Sequence, residues 1–304
     1  MMAERIVWGL DIGGTKCALA AANEQGDILY RYQIATRDYP QWEDILETLV
    51  KAGEASAPRP LAVGVSCGGP LDSQRGLVLS PPNLPGWDEV PITAWLQKRL
   101  GVPAYLQNDA NACALAEWQY GAGQGSRSMA FLTFGTGLGA GLILDGRLYE
   151  GVNGMAGEIG HIRMAEEGPV GYGKAGSLEG FCSGGGLKQL AKARLGKDMS
   201  ARELAEAAEM GDEGAIRVLH ESARMLGRGL GILVDVLNLE KIVIGSIFAR
   251  AEKWFRPEME KIMEKEALGL SLKVCKVVPA ALGEKIGDLA AITTAWIGWR
   301  GENQ

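Results

Sequence analysis

Asn108-Asp109-Ala110-Asn111 is a polar knot between an apolar run, Tyr105-Leu106, and an alanine-rich, helix-favouring run over 112–117. A carboxylate at such a strand-to-helix junction can cap the helix by accepting a backbone N–H. It can equally serve as a general base aimed at a substrate hydroxyl. This stretch alone leaves both readings of Asp109 open. The second needs an electrophile nearby.

Asp11-Ile12-Gly13-Gly14-Thr15-Lys16 is the strongest candidate to hold one. The glycine pair lets a phosphate approach the backbone, Thr15 adds a hydroxyl donor, and Lys16 adds a cation if it faces the ligand. Asp11, at a strand end, can hold Mg²⁺ through water. The spacing predicts strands over 6–10, 17–22 and 28–35, a meander rather than a strand-to-helix unit. The anion-binding N–H groups would therefore come from a hairpin. A plain Gly-Gly turn would look the same. However, Gly135-Thr136-Gly137 joins predicted strands over 128–134 and 140–144 in the equivalent place of a second such unit. The pair favours nucleotide phosphates.

Asn153-Gly154-Met155-Ala156-Gly157-Glu158-Ile159-Gly160-His161 places an amide, a carboxylate and an imidazole on glycine-rich backbone. Such groups suit the many hydrogen bonds of a polyhydroxylated ligand. Glu158 and His161 are three apart and would share a face in a helix. A nearby decoy, Gly168-Pro169-Val170-Gly171-Tyr172-Gly173-Lys174-Ala175, nearly fits the Walker pattern. It lacks the Mg²⁺-binding hydroxyl at position 175, no strand precedes it, and Pro169 lies inside it.

The elements that must position these groups alternate. The first half reads βββαβαβα, a mixed sheet flanked by helices. After a glycine-rich turn over 121–126, the second half reopens as strand, glycine-threonine turn, strand. Helices are expected over 186–195, 201–210 and 213–237, with a strand and turn at 242–246 and a last strand at 274–278. A final helix over 288–299 is expected to fold back onto the first lobe. The repeat predicts two related α/β lobes facing a cleft: 1–118 completed by about 286–304, and a larger lobe over 119–285.

With 304 residues, the chain can bury a sizeable core and fill two domains. A net charge of −6 argues against a nucleic-acid partner, which would need a basic face. No apolar run approaches the roughly 20 residues of a membrane span, and nothing resembles a signal peptide. Five scattered cysteines read as reduced, mostly buried thiols in a cytoplasmic protein.

Together these motifs resemble the ROK family of bacterial sugar kinases and related repressors, in the actin/hexokinase-like (ribonuclease H-like) ATPase superfamily. The resemblance spans nearly the whole chain. It implies a two-lobed α/β fold and ATP-dependent phosphorylation of a hexose-type sugar, glucokinase-like, with ATP and Mg²⁺ as cofactors and a homodimer. Asp11 to Lys16 looks like the first phosphate loop and Gly135-Thr136-Gly137 like the second. Asn108-Asp109 looks like the sugar-binding asparagine and the catalytic base. Glu158 and His161 match the family's Glu-x-Gly-His, which contacts the sugar, and Glu179 helps read the ring. Gly245 falls where the family lines the adenosine pocket. Gly68 and Asn83 are expected to close the sugar pocket from the first lobe.

One departure stands out. The family usually follows that histidine with a Cys-x-Cys-Gly-x-x-Gly-Cys-x-Glu zinc site, whereas Val170, Tyr172 and Ser177 occupy the cysteine positions here. None offers a thiolate, so a structural zinc of the usual kind is not expected. The rival readings are a sugar-responsive regulator and a non-catalytic sugar or nucleotide sensor. The first would need a DNA-reading module ahead of the first strand, which begins at Ile6. The second is at odds with Asp109 beside both phosphate loops.

Overall fold

Apolar strands broken by glycine turns open the chain, and in the computed structural model, which describes residues 5–302, they build one sheet. β1 (Val7–Ile12), β2 (Lys16–Ala22) and β3 (Ile28–Ala35) meander antiparallel. α1 (Trp42–Ser56) buries Ile45, Leu46, Leu49 and Val50, a stripe with helical spacing. β4 (Val63–Cys67) then lies parallel to β1. A small hairpin, β5 (Leu71–Asp72) and β6 (Leu77–Val78), precedes α2 (Ile92–Leu100). β7 (Ala104–Asn108) joins parallel to β4 and runs directly into α3 (Asp109–Tyr120). The order across this sheet is β3-β2-β1-β4-β7. β1 runs past the expected end, so Asp11 lies inside the ladder, opposite Ala18 and Ser66.

The second sheet repeats that plan. β8 (Met129–Phe134), β9 (Leu138–Leu144) and β10 (Arg147–Leu148) are antiparallel. A separate hairpin, β11 (Val170–Gly171) and β12 (Lys174–Ala175), leads into α4 (Leu178–Phe181), α5 (Gly184–Leu195), α6 (Ala201–Glu209) and the long α7 (Glu213–Leu237). β13 (Lys241–Ile244) returns parallel to β8, and α8 (Ser246–Glu266) and α9 (Gly269–Leu272) separate it from β14 (Lys276–Pro279), which pairs parallel to it. The order is β10-β9-β8-β13-β14. In both sheets an antiparallel meander precedes parallel strands, which is the repeated α/β unit expected from the sequence. No described helix is long and apolar enough to cross a membrane.

The chain divides into two units: one runs to Gly121 and resumes at Glu284, and the other is Ala122–Gly283. The last helix, α10 (Ile286–Glu302), therefore belongs with the first sheet. It buries Leu289, Ile292, Ala295 and Trp296. The sheet admits it through Gly9 and Gly64, register partners on β1 and β4. A Cβ on Gly9 would stand 2.6 Å from the Ile292 nitrogen, and one on Gly64 would overlap the backbone of Ala291 and Ala295. Glycine inside a strand is unfavourable in itself, but here it lets another backbone lie against the sheet. Trp296 Nε1 fastens the helix further by donating to the Asn23 carbonyl at 3.2 Å.

Candidate functional site

In the first unit, β1, β4 and β7 end side by side, with Ile12 opposite Cys67 and Cys67 opposite Asn108. Gly13, Gly68 and Asp109 therefore leave the sheet along one carboxyl edge, the edge at which parallel α/β sheets bind ligands. Gly13 N donates to the Lys16 carbonyl at 3.1 Å, closing the hairpin turn. Thr36, just after β3, clamps that turn: its Oγ1 donates to the Gly13 carbonyl at 2.6 Å and its backbone N–H donates to the Thr15 carbonyl at 3.1 Å. Gly14, Thr15 and Lys16 are left exposed. Gly14 lies flat on Asn83, whose carbonyl a Cβ would overlap, so Asn83 stands beside the Gly13-Gly14 turn.

Asn108, not Asp109, occupies the N-cap of α3. Asn108 Oδ1 accepts the Ala110 N–H at 3.0 Å, and Asp109 Oδ1 accepts the same N–H at 2.8 Å. Gln107 Oε1 accepts the Asn108 N–H at 2.8 Å and the Asn111 side-chain amide at 3.2 Å, which fixes the junction. Asp109 is exposed, and its Oδ2 lies 3.9 Å from the point where a Gly68 Cβ would stand. The two readings of Asp109 are thus compatible, since the contact to the helix end also sets the direction of the carboxylate.

Asp11 rests against the start of α10, where a Cβ on Gly287 would overlap its Oδ2. Burial pushes its carboxyl up to about 6, and the charges of Asp288 and Asp109 add to this while Lys16 and Arg31 oppose it. Asp288 is itself buried and pairs with Arg31, Oδ2 to Nε at 2.6 Å. Thr36, Arg31, Asp288 and Gly287 had no local signal in the sequence, because the partner of each lies far along the chain.

In the second unit, Gly135-Thr136-Gly137 turns between β8 and β9, closed by Gly135 N donating to the Gly137 carbonyl at 3.1 Å. Thr133 Oγ1 steadies its base by accepting the Gly139 N–H at 2.9 Å. Gly245 follows β13, the strand beside β8, and caps α8. Its neighbour Ser246 places Oγ 3.6 Å from where a Gly135 Cβ would stand. The Gly135-Thr136-Gly137 turn and Gly245 therefore share one strand edge.

Glu179 reaches the same turn, its Oε2 accepting the Leu138 N–H at 3.0 Å. Glu158 precedes, and His161 ends, a single 3-10 turn, Ile159–His161, in which residues three apart eclipse. Gly157, with φ +94°, lies so close to β9 that a Cβ would overlap the Ala140 carbonyl, and buried Ile159 anchors the turn. Although Glu158 as a residue is exposed, desolvation of its carboxyl raises its pKa, Glu179 raises it further, and His161 lowers it. The Walker-like stretch is the β11–β12 hairpin, and Lys174 Nζ donates to the His161 carbonyl at 2.7 Å. Among the described residues no three His, Cys, Asp or Glu side chains are grouped to hold a metal ion.

The ROK family pattern matches residues 7–295. A glucokinase from Streptomyces coelicolor is 32% identical over 308 aligned residues, covering 94% of this chain and 96% of that protein. A solved ROK hexokinase from Thermus thermophilus superposes with a TM-score of 0.86 at 32% identity, covering 97% of this chain and 99% of the other. A ROK glucokinase from Streptomyces griseus, solved with glucose and AMPPNP, gives a TM-score of 0.78 at 32% identity, over 96% of this chain and all of the other.

Proposed function

We propose, from the premise that the chain belongs to the ROK family, that it transfers the terminal phosphoryl group of ATP to a hydroxyl of a hexose-type sugar. The observation that carries this is the common strand edge from which the Gly13 hairpin and Asp109 both project. A phosphate cradle and a carboxylate are the two parts that in-line transfer requires.

Asp109 accepts the proton of the sugar hydroxyl as its oxygen bonds to the γ-phosphorus. The bond from that phosphorus to the β–γ bridging oxygen breaks, and ADP leaves. Gly13, Gly14, Thr15 and Lys16 in the first unit, and Gly135, Thr136 and Gly137 in the second, are assigned to the phosphates. Gly245 is assigned to the adenosine. Asn108, Gly68 and Asn83 in the first unit, and Glu158, His161 and Glu179 in the second, are assigned to the sugar. Asp11 is a hard oxygen donor at the phosphate hairpin, and this fits Mg²⁺, which takes one or two carboxylates besides substrate phosphates. Bound with ATP, that ion would offset charge on the β- and γ-phosphates.

An assay of ADP release across glucose, fructose, mannose and N-acetylhexosamines tests the reading. Sugar-dependent release, strongest with glucose, is expected. Hydrolysis indifferent to every sugar, or no turnover at all, would overturn it.

A further inference from the structure

The family resemblance implies a zinc site in the segment that carries His161 and Glu179, and the donors present among the described residues do not fit one. In this fold each of the three residues at the positions the resemblance would give to cysteine, Val170, Tyr172 and Ser177, has another task. Ser177, fully buried, caps α4, accepting the Gly180 N–H at 3.1 Å and donating to the Gly171 carbonyl at 3.3 Å. Val170 is gripped through its backbone by Gln189 of α5, whose Oε1 accepts the Val170 N–H and whose Nε2 donates to the Val170 carbonyl, both at 2.9 Å. Tyr172 meets His161 edge-on, with ring centroids 6.3 Å apart and planes at 81°.

The neighbouring contacts extend the same pattern. Lys174 Nζ holds the His161 carbonyl at 2.7 Å, and Arg163 Nη1 holds the Ala175 carbonyl at 2.8 Å. The Gly176 carbonyl accepts the Met164 and Ala165 N–H groups, and Leu178 N donates to the Ile162 carbonyl at 2.8 Å. Gly171, next to the gripped Val170, packs so closely on Glu179 that a Cβ would stand 2.8 Å from the Glu179 Cβ. A displacement of Val170-Gly171 is thus a displacement of Glu179.

We propose that a metal-free clasp, Gln189 on Val170 and Ser177 on Gly171, replaces zinc in shaping this segment. Gln189 and Lys174 are then positioning residues that hold Glu179 and His161 for the ligand. Only that last step rests on the sugar-kinase reading. The clasp itself stands on the hydrogen bonds alone.

Three measurements on the full chain test it. An excess of a zinc chelator leaves the melting temperature within about 1 °C of the untreated protein, whereas a structural zinc would make it fall by many degrees. Gln189→Met keeps bulk and removes both polar atoms. It speeds amide exchange over 170–177 about tenfold, the loss expected for two hydrogen bonds, while exchange in β8 and β13 stays put. The same variant raises KM for the sugar about tenfold with kcat within about twofold of wild type, the signature of lost ground-state binding. A chelator-sensitive melt, or unchanged exchange in Gln189→Met, overturns the clasp. Faster exchange with an unchanged sugar KM overturns the positioning role. If no sugar is phosphorylated by the wild type, the functional reading fails, while the melt and exchange results still decide the clasp.

Discussion

Asp109 holds the first turn of α3 with one oxygen and directs the other over Gly68. Asp109→Asn keeps that hydrogen bond and loses the base, so kcat is expected to fall by about 10²–10⁴-fold with sugar binding largely intact. Steady-state kinetics beside a sugar thermal shift measure both, and a variant keeping more than about a tenth of wild-type kcat would remove Asp109 from the role. Asp11 supplies a different test, through pH. Its carboxyl titrates near 3.8 when unfolded and at about 6 when folded. Below the lower value both states carry the proton. As pH rises between the two, the unfolded chain releases its proton first, so Asp11 costs the fold stability across that window and the loss persists above it. Asp11→Asn is therefore expected to be more stable than wild type at pH 8, by up to about 3 kcal/mol, with the difference shrinking to about 0.5 kcal/mol at pH 4. Urea melts at the two pH values check this, and the variant should lose phosphoryl transfer even as it gains stability. Asp11 and Asp109 stood out as candidates because each is an acidic residue interrupting a largely apolar run near a strand end. Asp288 and Arg31, which tune Asp11, did not, because they lie 257 positions apart.

Among the elements, the two hairpins proposed to hold the phosphates could be read as hairpins from glycine beside threonine between two apolar runs, and the sheets confirm strands on both sides of each. The brace could not. Thr36 lies 23 residues from Gly13, and a threonine after a strand is unremarked in any sequence. Thr36→Val preserves shape and removes the donor, so it should destabilise by about 1 kcal/mol and raise KM for ATP several-fold. An unchanged KM for ATP would show that the turn holds its shape unaided. Gly9 and Gly64 were equally opaque, since a glycine in a strand announces only flexibility. Gly64→Val drives a side chain into the α10 backbone. The expected loss exceeds about 3 kcal/mol, which a denaturant melt reads directly. The same substitution at Gly101, a helix end with nothing within 4 Å of a built Cβ, should act only through its positive φ.

At the scale of the whole molecule, α10 is the last described element in sequence yet lies against β1 and β4. Removing residues 284–304 should leave amides of β8 and β13 protected while those of β1 and β4 exchange freely, as hydrogen exchange would show. Equal protection in both sheets would mean that the first unit folds without its helix. Chain topology also has a temporal side. A ribosome emits about 5–20 residues per second, so residues 122–283, the whole second unit, leave it after the first sheet and before the helix that completes that sheet. The portion born first is finished last. Until α10 emerges, the face bearing Gly9 and Gly64 lacks the helix that covers it, so a nascent-chain chaperone, or a stalled translation complex probed by protease, would meet that unit open and its younger neighbour already closed.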